Sequence, residues 1–391
     1  MKALVHQMIC DLCGSGDYSR LLQISAGRSM RSDRRVIDCN LEKYFCNRCG
    51  LVRGGDLFNS QNLQDYYSNE YTLSEQSAEY FFHTPQGSIS RSSIFCEWIV
   101  SMGAHHWEPA MRCLEVGAGS GLLLREFIRR FPDKTFKGIE LNRAAVMRAQ
   151  RRGLPVQQGE PLSLDEGEFD LIYSIAVLEH VASPTKFISD LRRLLKPRGL
   201  LFLCQPTQDV PSYDVFFIDH LHHFGSEHLH QYARKGGFRE LGFVVGHQWM
   251  PNYSLHLWQS VEPPTEFAWA GPPGYTTCAQ TGREVMADMA RLDRLLVELS
   301  EQRRRVAVFG LNEVYWLARA YSGLGDFPVV CGLDDEPDKA DYATLGFPVL
   351  VPENCLALGI QDVILTMNRV YYGQARERLS RLGLNVHGVL S

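Results

Sequence analysis

A glycine-rich turn and two carboxylates have the residue types and the spacing that bind a nucleotide-like cofactor. Glu115 is followed by Gly117, Gly119 and Gly121, where a short apolar run gives way to a helical pattern. Glycines between a strand and a helix let a ligand approach the backbone and the helix N-terminus closely. Glu140 lies 19 residues beyond Gly121, after a second apolar run, where a carboxylate can accept hydrogen bonds from ribose hydroxyls. The short G-x-G-x-G spacing favours S-adenosylmethionine over a nicotinamide cofactor.

Four cysteines form two paired-thiol turns, Cys10-x-x-Cys13 and Cys46-x-x-Cys49, each followed at once by a glycine. Thiolates at this spacing bind one cation from a tight turn, and two such turns complete the tetrahedron that zinc prefers. Because four protein ligands leave no position for water, the predicted zinc stabilises the fold and takes no part in chemistry. A redox CxxC is the alternative, although a redox motif needs no second pair. The odd total of eleven cysteines argues for reduced thiols.

Histidines are concentrated in one segment, with five in the eleven residues from His220 to His230. This segment follows an apolar run, 200–204, that is predicted to be the strand whose C-terminal end faces the transferred group. An imidazole titrates near neutral pH and therefore suits proton abstraction. A metal site is the alternative, but no triad in the segment has the i, i+4 spacing of a helical metal site. Acid–base chemistry is therefore favoured.

Alternating strand and helix patterns must position these residues. Apolar runs at 111–116, 135–139, 169–174 and 200–204 alternate with amphipathic stretches, the last of them over 184–195. This alternation predicts an α/β fold with a mainly parallel sheet flanked by helices.

The chain is predicted to divide into four parts, which are a zinc-binding module (1–62), a cofactor-binding core (63–250), a loop and linker helix (251–302) and a C-terminal Rossmann-like domain (303–391). The linker contains a proline- and glycine-rich stretch, 263–275, that predicts a loop, and an apolar stripe over 283–305 that predicts an amphipathic helix. In the last part, Leu311 and Asn312 follow Gly310 where a dinucleotide-binding loop carries more glycines. A structural or lid role for this small doubly wound unit is therefore favoured over dinucleotide binding.

The charge balance argues against a nucleic-acid partner. The chain of 391 residues has 40 basic and 45 acidic residues, a net charge of −5, without the basic footprint of a nucleic-acid-binding protein. A small-molecule substrate is favoured instead. No stretch reaches the roughly 18 apolar residues of a membrane span, and the N-terminal residues have no apolar leader core. We therefore expect a cytoplasmic protein without membrane contact, as a monomer or a weak homodimer.

Several motifs together resemble the class I S-adenosylmethionine-dependent methyltransferases over about residues 90–245. They are the E-x-G-x-G-x-G loop at 115–121, the acidic end of the second strand, V-L-E-H-V at 177–181 and L-L-K-P-R-G at 194–199. The resemblance implies a Rossmann-like core, in which His180 packs against a helix. The cofactor contacts that it implies are Glu115, Gly117 and Gly119 at the methionine part, Glu140 at the ribose, Gly159 and Glu160 at the adenine, and Ser174 at the methionine end.

A narrower resemblance covers essentially the whole chain. The segment F-I-D-H-L-H-H-F-G at 217–225 is similar to a Y-H-E-H-L-S-Y-F-S-like segment of the three-domain, zinc-containing C-methyltransferases of nucleotide-deoxysugar biosynthesis. This resemblance implies His220 as the general base, Asp219 as its neighbouring acid and Tyr71 as an active-site tyrosine. The tyrosine of the family falls on Phe217, which has no hydroxyl, so any role of that hydroxyl must be absent or supplied elsewhere.

The expected activity is carbon methylation of a nucleotide-linked keto-deoxysugar. Carbon becomes a nucleophile only after a base removes the proton beside a carbonyl, which leaves an enolate that can attack the methyl group. Methyl transfer to oxygen or nitrogen of another small natural-product metabolite, on the same cofactor site, is the alternative. A scaffold protein without activity is a third interpretation, which is disfavoured because the glycine turn and Glu140 occur together.

Overall fold

The computed structural model describes residues 8–55, 63, 65–71, 81–84, 87–108, 111–165, 167, 169–261, 276–337, 342 and 345–390. The β-strands of these residues are β1 (Tyr18–Ile24), β2 (Ser29–Met30), β3 (Val36–Ile37), β4 (Leu41–Cys46), β5 (Val52–Gly54), β6 (Phe81–Thr84), β7 (Gly87–Ser90), β8 (Arg112–Val116), β9 (Thr135–Glu140), β10 (Val156–Gln158), β11 (Phe169–Ile175), β12 (Leu195–Pro206), β13 (His222–His223), β14 (Phe238–His247), β15 (Met250–Ser260), β16 (Val306–Phe309), β17 (Cys331–Leu333), β18 (Val349–Leu350), β19 (Asp362–Leu365) and β20 (Asn385–Gly388). The α-helices are α1 (Arg91–Gly103), α2 (Leu122–Arg130), α3 (Arg143–Arg151), α4 (Pro184–Leu194), α5 (Ser226–Lys235), α6 (Thr276–Glu301), α7 (Glu313–Tyr321) and α8 (Tyr372–Arg381). The predicted loop at 263–275 lies outside the described residues.

A seven-stranded sheet forms the centre of the first half of the chain, in the order β10-β9-β8-β11-β12-β15-β14. The first five strands in this order pair in parallel, and β15 and β14 pair antiparallel. The chain therefore adds β9 and β10 on one side of β8. It then crosses to the other side of β8, where it adds β11 and the strands that follow. At such a switch point the loops after neighbouring strands separate and leave a crevice at the carboxyl ends of the strands.

Alternation along the strands divides the core between the two faces of the sheet. On β11, Leu171 and Tyr173 pack in one apolar cluster and Ile172 packs in the other. On β12, Phe202 packs in the first of these clusters and Leu201 packs in the second. This period of two is expected of strands that are buried on both faces, so the sheet is covered by apolar side chains on each side.

Polar residues begin the helices that cover the sheet. The Ser90 hydroxyl accepts a hydrogen bond from the Ser93 backbone N–H at the start of α1 (3.0 Å), and the Ser183 hydroxyl accepts one from Lys186 at the start of α4 (3.2 Å). Asn142 does the same for α3 through Ala145 (2.9 Å). Each cap satisfies a backbone N–H that has no partner inside its own helix.

A smaller four-stranded sheet, in the order β1-β4-β5-β13, joins the cysteine-rich segment to the histidine-rich segment. The last pair in this order is antiparallel, with His222 opposite Arg53 and His223 opposite Val52. The predicted base, His220, therefore lies two residues before a strand that the cysteine-rich segment holds in place.

The described residues cluster into two compact units. The first comprises the described residues within Met1–Leu21, Lys43–Val215 and Asp219–Cys278, and the second comprises those within Leu22–Glu42, Phe216–Ile218 and Ala279–Ser391. In the second unit, β18-β17-β16-β19-β20 form a sheet in which all strands are parallel. Phe217 belongs to this unit, where it bridges to Met30.

Two boundaries differ from those expected of the sequence. The predicted linker, 251–302, begins inside β15, which completes the seven-stranded sheet. Helix α6 spans Thr276–Glu301 where 283–305 was expected, and it ends before Arg303, whose φ of +52° no helix allows. None of the helices in the described part of the chain is long and apolar enough to span a bilayer.

Candidate functional site

The glycine turn and Glu140 lie side by side at the carboxyl edge of the large sheet. One carboxylate oxygen of Glu140 accepts a hydrogen bond from the Gly119 backbone N–H (2.8 Å), and the other accepts one from the Asn142 N–H (2.8 Å). Gly117 N–H donates to the Ile139 carbonyl (3.0 Å), which ties the turn to the end of β9. Burial raises the pKa of Glu140, and these backbone hydrogen bonds act in the opposite direction. A carboxylate oxygen has further lone pairs, so Glu140 can also accept hydrogen bonds from two ribose hydroxyls.

Gly117 cannot carry a side chain in this turn. Its φ is +78°, and a Cβ built there lies 2.3 Å from Cγ2 of Val177. Gly153 has a similar φ, +73°, but open space around it. We expect Gly117→Ala to weaken S-adenosylmethionine binding about tenfold or more, because the new Cβ displaces Val177 and shifts the turn, while left-handed strain of about 1–2 kcal/mol lowers the stability of the fold.

Gly153→Ala is the matched control, because it introduces the same left-handed backbone strain without a steric clash. It is expected to lower the melting temperature slightly and to leave cofactor affinity unchanged in titration calorimetry. Equal affinities for Gly117→Ala and the wild-type chain would show that the turn does not approach a ligand.

The other residues implied for the cofactor surround the same edge. Glu115 is buried, and its carboxylate accepts a hydrogen bond from the Tyr173 hydroxyl (3.3 Å). Burial, which outweighs this bond, raises the pKa of Glu115 well above its usual value. The Ser174 hydroxyl is buried and donates to the Val116 carbonyl (3.1 Å).

The two residues implied at the adenine follow β10. Gly159 N–H donates to the Glu140 carbonyl (3.1 Å), so the backbone here runs beside the predicted ribose-binding carboxylate. The Glu160 side chain is exposed, and its carbonyl accepts from the Ser163 backbone N–H (2.9 Å). Gly159 thus lies at the crevice, and Glu160 begins the turn that follows it.

His220 is held by a buried carboxylate that the sequence analysis did not single out. The two oxygens of Asp214 contact Nδ1 of His220 and Nδ1 of His223, and all three residues are buried. Burial disfavours the charged form of His220, but the charge and hydrogen bond of Asp214 outweigh it and raise the pKa of His220. For His223 burial dominates and lowers the pKa to about 4. Of the two histidines, His220 is therefore the stronger base.

Tyrosines and a second histidine lie beside His220. The rings of His180 and His220 are 4.5 Å apart and perpendicular. Nδ1 of His180 lies 2.6 Å from the Tyr67 hydroxyl and 3.0 Å from the Asp219 carbonyl. Tyr71, the predicted active-site tyrosine, packs edge-on against Tyr67 at 5.1 Å. His180, which was expected to pack against a helix, therefore lies at the site beside His220.

Asp219 and Asp214 have different surroundings. The sequence comparison implied Asp219 as the acid beside His220, and its carboxylate accepts a hydrogen bond from the Tyr66 hydroxyl (3.2 Å). The carboxylate on the Nδ1 atom of His220 belongs to Asp214, in the turn at Tyr213–Phe216. A carboxylate on Nδ1 fixes the tautomer and the orientation of an imidazole, which is the arrangement that a general base requires.

Asn142 connects the cofactor edge to the histidine site. Its backbone N–H bonds to Glu140, and its side-chain amide donates to the Tyr71 carbonyl (2.9 Å). Glu140, Asn142 and Tyr71 are thus joined by two consecutive hydrogen bonds, and Tyr71 leads through Tyr67 to His180. The predicted cofactor site and the predicted base therefore belong to one continuous region.

The cysteine-rich segment supports the backbone of this region. Nζ of the fully buried Lys43 donates to the His220 carbonyl (2.7 Å), and Gly54 N–H donates to the Leu221 carbonyl (2.9 Å). Burial lowers the pKa of Lys43 to about 8, although Asp214 and Asp219 act in the opposite direction. Lys43 is therefore a positioning residue for the loop that carries His220.

The four predicted zinc ligands meet at one point. Sγ of Cys10 lies 3.6 Å from Sγ of Cys49, Sγ of Cys13 lies 3.5 Å from Sγ of Cys46, and all four atoms lie within 4.8 Å of one another. Zinc–sulfur bonds of about 2.3 Å place tetrahedral sulfurs about 3.8 Å apart, so this donor set fits zinc. All eleven cysteines of the chain are without disulfides, and Cys39 lies outside the cluster.

Polar contacts fasten the cysteine turns to the large sheet's helices. The carboxylate of Asp11 accepts hydrogen bonds from the Ser183 hydroxyl (2.6 Å) and the Thr185 N–H (2.8 Å) at the start of α4. The Lys235 ammonium donates to the carbonyl of Asp11, and Nε2 of His228 lies 3.0 Å from the Cys49 carbonyl. The cysteine turns are therefore part of the first unit's core.

Two further groups in the described part of the chain have side chains placed to share a cation. Glu179, His180 and His220 form one, and His230, Glu240 and His256 form the other. In the second group burial opposes ionisation of Glu240, but hydrogen bonds from both histidines lower its pKa to about 2. Nδ1 of His256 lies 2.7 Å and Nε2 of His230 lies 2.8 Å from the carboxylate oxygens of Glu240, so this carboxylate is held between the two histidines.

Several buried polar groups at the site were missed at the level of sequence. Within the described residues, Oε2 of Glu179, Oε1 of Gln205 and both amide atoms of Gln208 have no hydrogen-bond partner. Their position was the one signal in the sequence, because each of these residues lies at or just after the C-terminal end of a strand. Ligands of such sheets bind at that edge. Buried polar atoms without partners are rare, so these atoms are candidates for contacts with a polar ligand.

Comparison with known proteins identifies a methyltransferase domain in the chain. Residues 91–241 match the sequence family described as a methyltransferase domain. The ubiquinone biosynthesis O-methyltransferase of Roseobacter denitrificans is 30% identical over 141 residues, which are 34% of this chain and 54% of that protein. That of Xanthomonas oryzae is 30% identical over 158 residues, 37% of this chain and 63% of that protein. The chain thus spans about half to two thirds of the length of these curated relatives.

Among solved structures, a SAM-dependent methyltransferase from Methanosarcina mazei matches with a TM-score of 0.35 and 18% identity, covering 41% of this chain and 96% of that chain.

Proposed function

We propose that the protein, whose residues 91–241 match a methyltransferase domain, uses S-adenosylmethionine to methylate a carbon atom of a nucleotide-linked keto-deoxysugar. S-adenosylmethionine supplies an electrophilic methyl group when bound. In this proposal Glu140 and the turn at Gly117 and Gly119 hold the donor, and His220 removes a proton from the carbon beside the acceptor's carbonyl.

The observation that carries the proposal is the buried Asp214–His220 pair beside the cofactor edge. Transfer to an acidic phenol or to an amine nitrogen needs little help from a base, whereas a carbon acid requires a strong and oriented one. Asp214 fixes the imidazole and raises its pKa, which strengthens His220 as a base. The continuous path from Glu140 through Asn142 to Tyr71 supports placing donor and acceptor together.

Oxygen methylation is the second candidate, because the curated relatives are named O-methyltransferases. In that case His220 would remove a hydroxyl proton, and no carbon–hydrogen bond would break. The two candidates share the donor site and differ in the acceptor atom.

A panel incubation tests the proposal. The purified chain is supplied with S-adenosylmethionine and a panel of nucleotide-linked keto-deoxysugars, with ortho-diphenols included as oxygen acceptors. We expect one keto-sugar to gain one methyl group, which carbon NMR assigns to the carbon beside the carbonyl. Methylation of the diphenols alone would establish the second candidate instead.

We also propose that zinc occupies the four-cysteine cluster and has a structural role. Cys49→Ser, or metal removal with a strong chelator, is expected to release one zinc and to lower the melting temperature by on the order of 10 °C, because such sites contribute roughly 10 kcal/mol or more to folding. Cys39→Ser is the matched control, since Cys39 lies outside the cluster. Retention of zinc and of the wild-type melting temperature by Cys49→Ser would refute the proposal.

A further inference from the structure

Glu179 is a buried carboxylate beside the histidines of the site. It lies in the turn Leu178–His180 directly after β11, at the carboxyl edge of the sheet, and is 1% exposed. Its Oε2 has no hydrogen-bond partner anywhere in the described ranges. Leaving a buried polar atom unpaired costs about 1–3 kcal/mol, so a carboxylate here weakens the fold unless a ligand completes its hydrogen bonding.

The acid–base residues of the site face this carboxylate. A carboxylate oxygen of Glu179 lies within 4.8 Å of a ring nitrogen of His180 and of His220. Burial raises the pKa of Glu179 to about 7, an effect that His220 and Arg91 oppose and Asp214 reinforces. The uncharged titratable groups that also interact with it are Tyr67, Cys204 and Tyr253.

Glu179 and His220 lie close enough to share one proton. With the proton on His220, the pair consists of an imidazolium and a carboxylate, and no base is available. With the proton on Glu179, the pair consists of a neutral imidazole and a carboxylic acid that can donate a hydrogen bond. The two forms have the same net charge and differ only in which residue holds the shared proton.

We propose that protonated Glu179 donates a hydrogen bond to the carbonyl oxygen of the acceptor while neutral His220 removes the adjacent proton. This inference rests on the proposed carbon methylation and assigns that reaction a second catalytic residue. The hydrogen bond strengthens as charge develops on the oxygen, which is the condition under which an interaction lowers the barrier.

The step balances without a further reagent. The carbon–hydrogen bonding pair becomes the enolate and then the new carbon–carbon bond, while the proton moves to His220. The methyl–sulfur bonding pair remains on sulfur. Glu179 keeps its proton throughout, because the carbonyl oxygen that it bonds regains its double bond when the methyl group is transferred.

Two Glu179 variants separate this role from a structural one. Glu179→Ala removes the donor, and we expect kcat to fall about 10²–10³-fold with little change in KM. Glu179→Gln keeps an N–H donor that cannot ionise, and we expect a loss of about tenfold or less. Glu179→Gln should not lower the melting temperature, since Oε2 of the wild-type carboxylate has no partner in the described residues. Glu126→Gln, which changes a surface ion pair with Arg129, is the control.

The pH profile is the measurement that a structural role would not change. In the wild-type chain the rate should fall as pH rises through about 7, because the acid form of Glu179 is lost. In Glu179→Gln this fall should disappear. The rise in rate that accompanies deprotonation of His220 should remain in both.

The assay uses the wild-type holoprotein, S-adenosylmethionine and a thymidine-diphosphate-linked keto-deoxyhexose. A kcat of Glu179→Ala within twofold of the wild-type value would overturn the proposal while leaving carbon methylation intact. A rate of Glu179→Gln that still falls as pH rises through about 7 would do the same. Activity that a weak chelator abolishes and added Mg²⁺ restores, with the four-cysteine zinc retained, would make Glu179 a metal ligand and also overturn it. A wild-type chain that methylates no carbon would instead refute the proposed function.

Discussion

Replacing His220 with alanine is expected to lower the rate of methyl transfer by about 10²–10⁴-fold, the range that positioned general bases contribute. S-adenosylmethionine should still bind, because His220 lies in the histidine-rich segment and the donor site is formed by the turn at 117–121 and Glu140. Single-turnover rates and calorimetry on the same preparation separate the two effects. His105→Ala changes an exposed histidine of the same unit and should leave both unchanged.

Asp214→Asn tests whether the carboxylate acts through His220. A base must be neutral, so activity rises as pH rises through the pKa of His220. Because Asp214 raises that pKa, its loss should move the rise to lower pH and lower the maximal rate. If Asp214→Asn keeps the wild-type pH profile and His220→Ala keeps its activity, His220 is not the base.

Replacing Glu140 with alanine is expected to weaken S-adenosylmethionine binding by about 10²–10⁴-fold. Two hydrogen bonds from ribose hydroxyls to a carboxylate are worth about 1.5–3 kcal/mol each, and a factor of ten in affinity corresponds to about 1.4 kcal/mol. The substitution also removes the hydrogen bonds that Glu140 accepts from the backbone N–H groups of Gly119 and Asn142. Titration calorimetry measures the affinity directly.

Asp133→Asn is the matched control for Glu140→Ala, since Asp133 is an exposed carboxylate in the turn before the same strand. Its affinity for S-adenosylmethionine should equal that of the wild-type chain. If Glu140→Ala binds within threefold of the wild-type chain, the donor lies elsewhere. Circular dichroism should show that both variants keep their helices and strands.

Local signals in the sequence predicted most of the sheet. The apolar runs around Glu115, Glu140 and Ser174 became β8, β9 and β11 with ends within one residue or so, because buried parallel strands are continuous apolar runs. Glycines with positive φ at 117, 119 and 121 fixed the turn between β8 and α2. These features depend on neighbours in sequence, which is why one sequence was enough.

The partners of the histidines depend on contacts between distant elements, and the sequence did not predict them. Asp214 was not distinguished from Asp219, because nothing in the local pattern shows which carboxylate faces the imidazole. Lys43 reaches the His220 carbonyl from the cysteine-rich segment, 177 residues away. His180 was expected to pack against a helix, and only the turn at Leu178–His180 brings it to His220.

The antiparallel edge of the sheet was also missed. β15 was placed in a linker because the residues after it, 263–275, contain prolines and glycines that end regular structure. Its pairing with β12, from Leu200 opposite Gln259 to Pro206 opposite Tyr253, gives the strand its partners. Pairing of this kind is set by the rest of the sheet and has no signature of its own in β15.

Proton removal from carbon is the claim on which the mechanism depends, and the mass of the product tests it most directly. A nucleotide-linked keto-deoxysugar is prepared with deuterium on the carbon beside its carbonyl and incubated briefly with the chain and S-adenosylmethionine. The account predicts a methylated product that has lost one deuterium. A methylated product that retains every deuterium would show transfer to oxygen or nitrogen and would contradict the account.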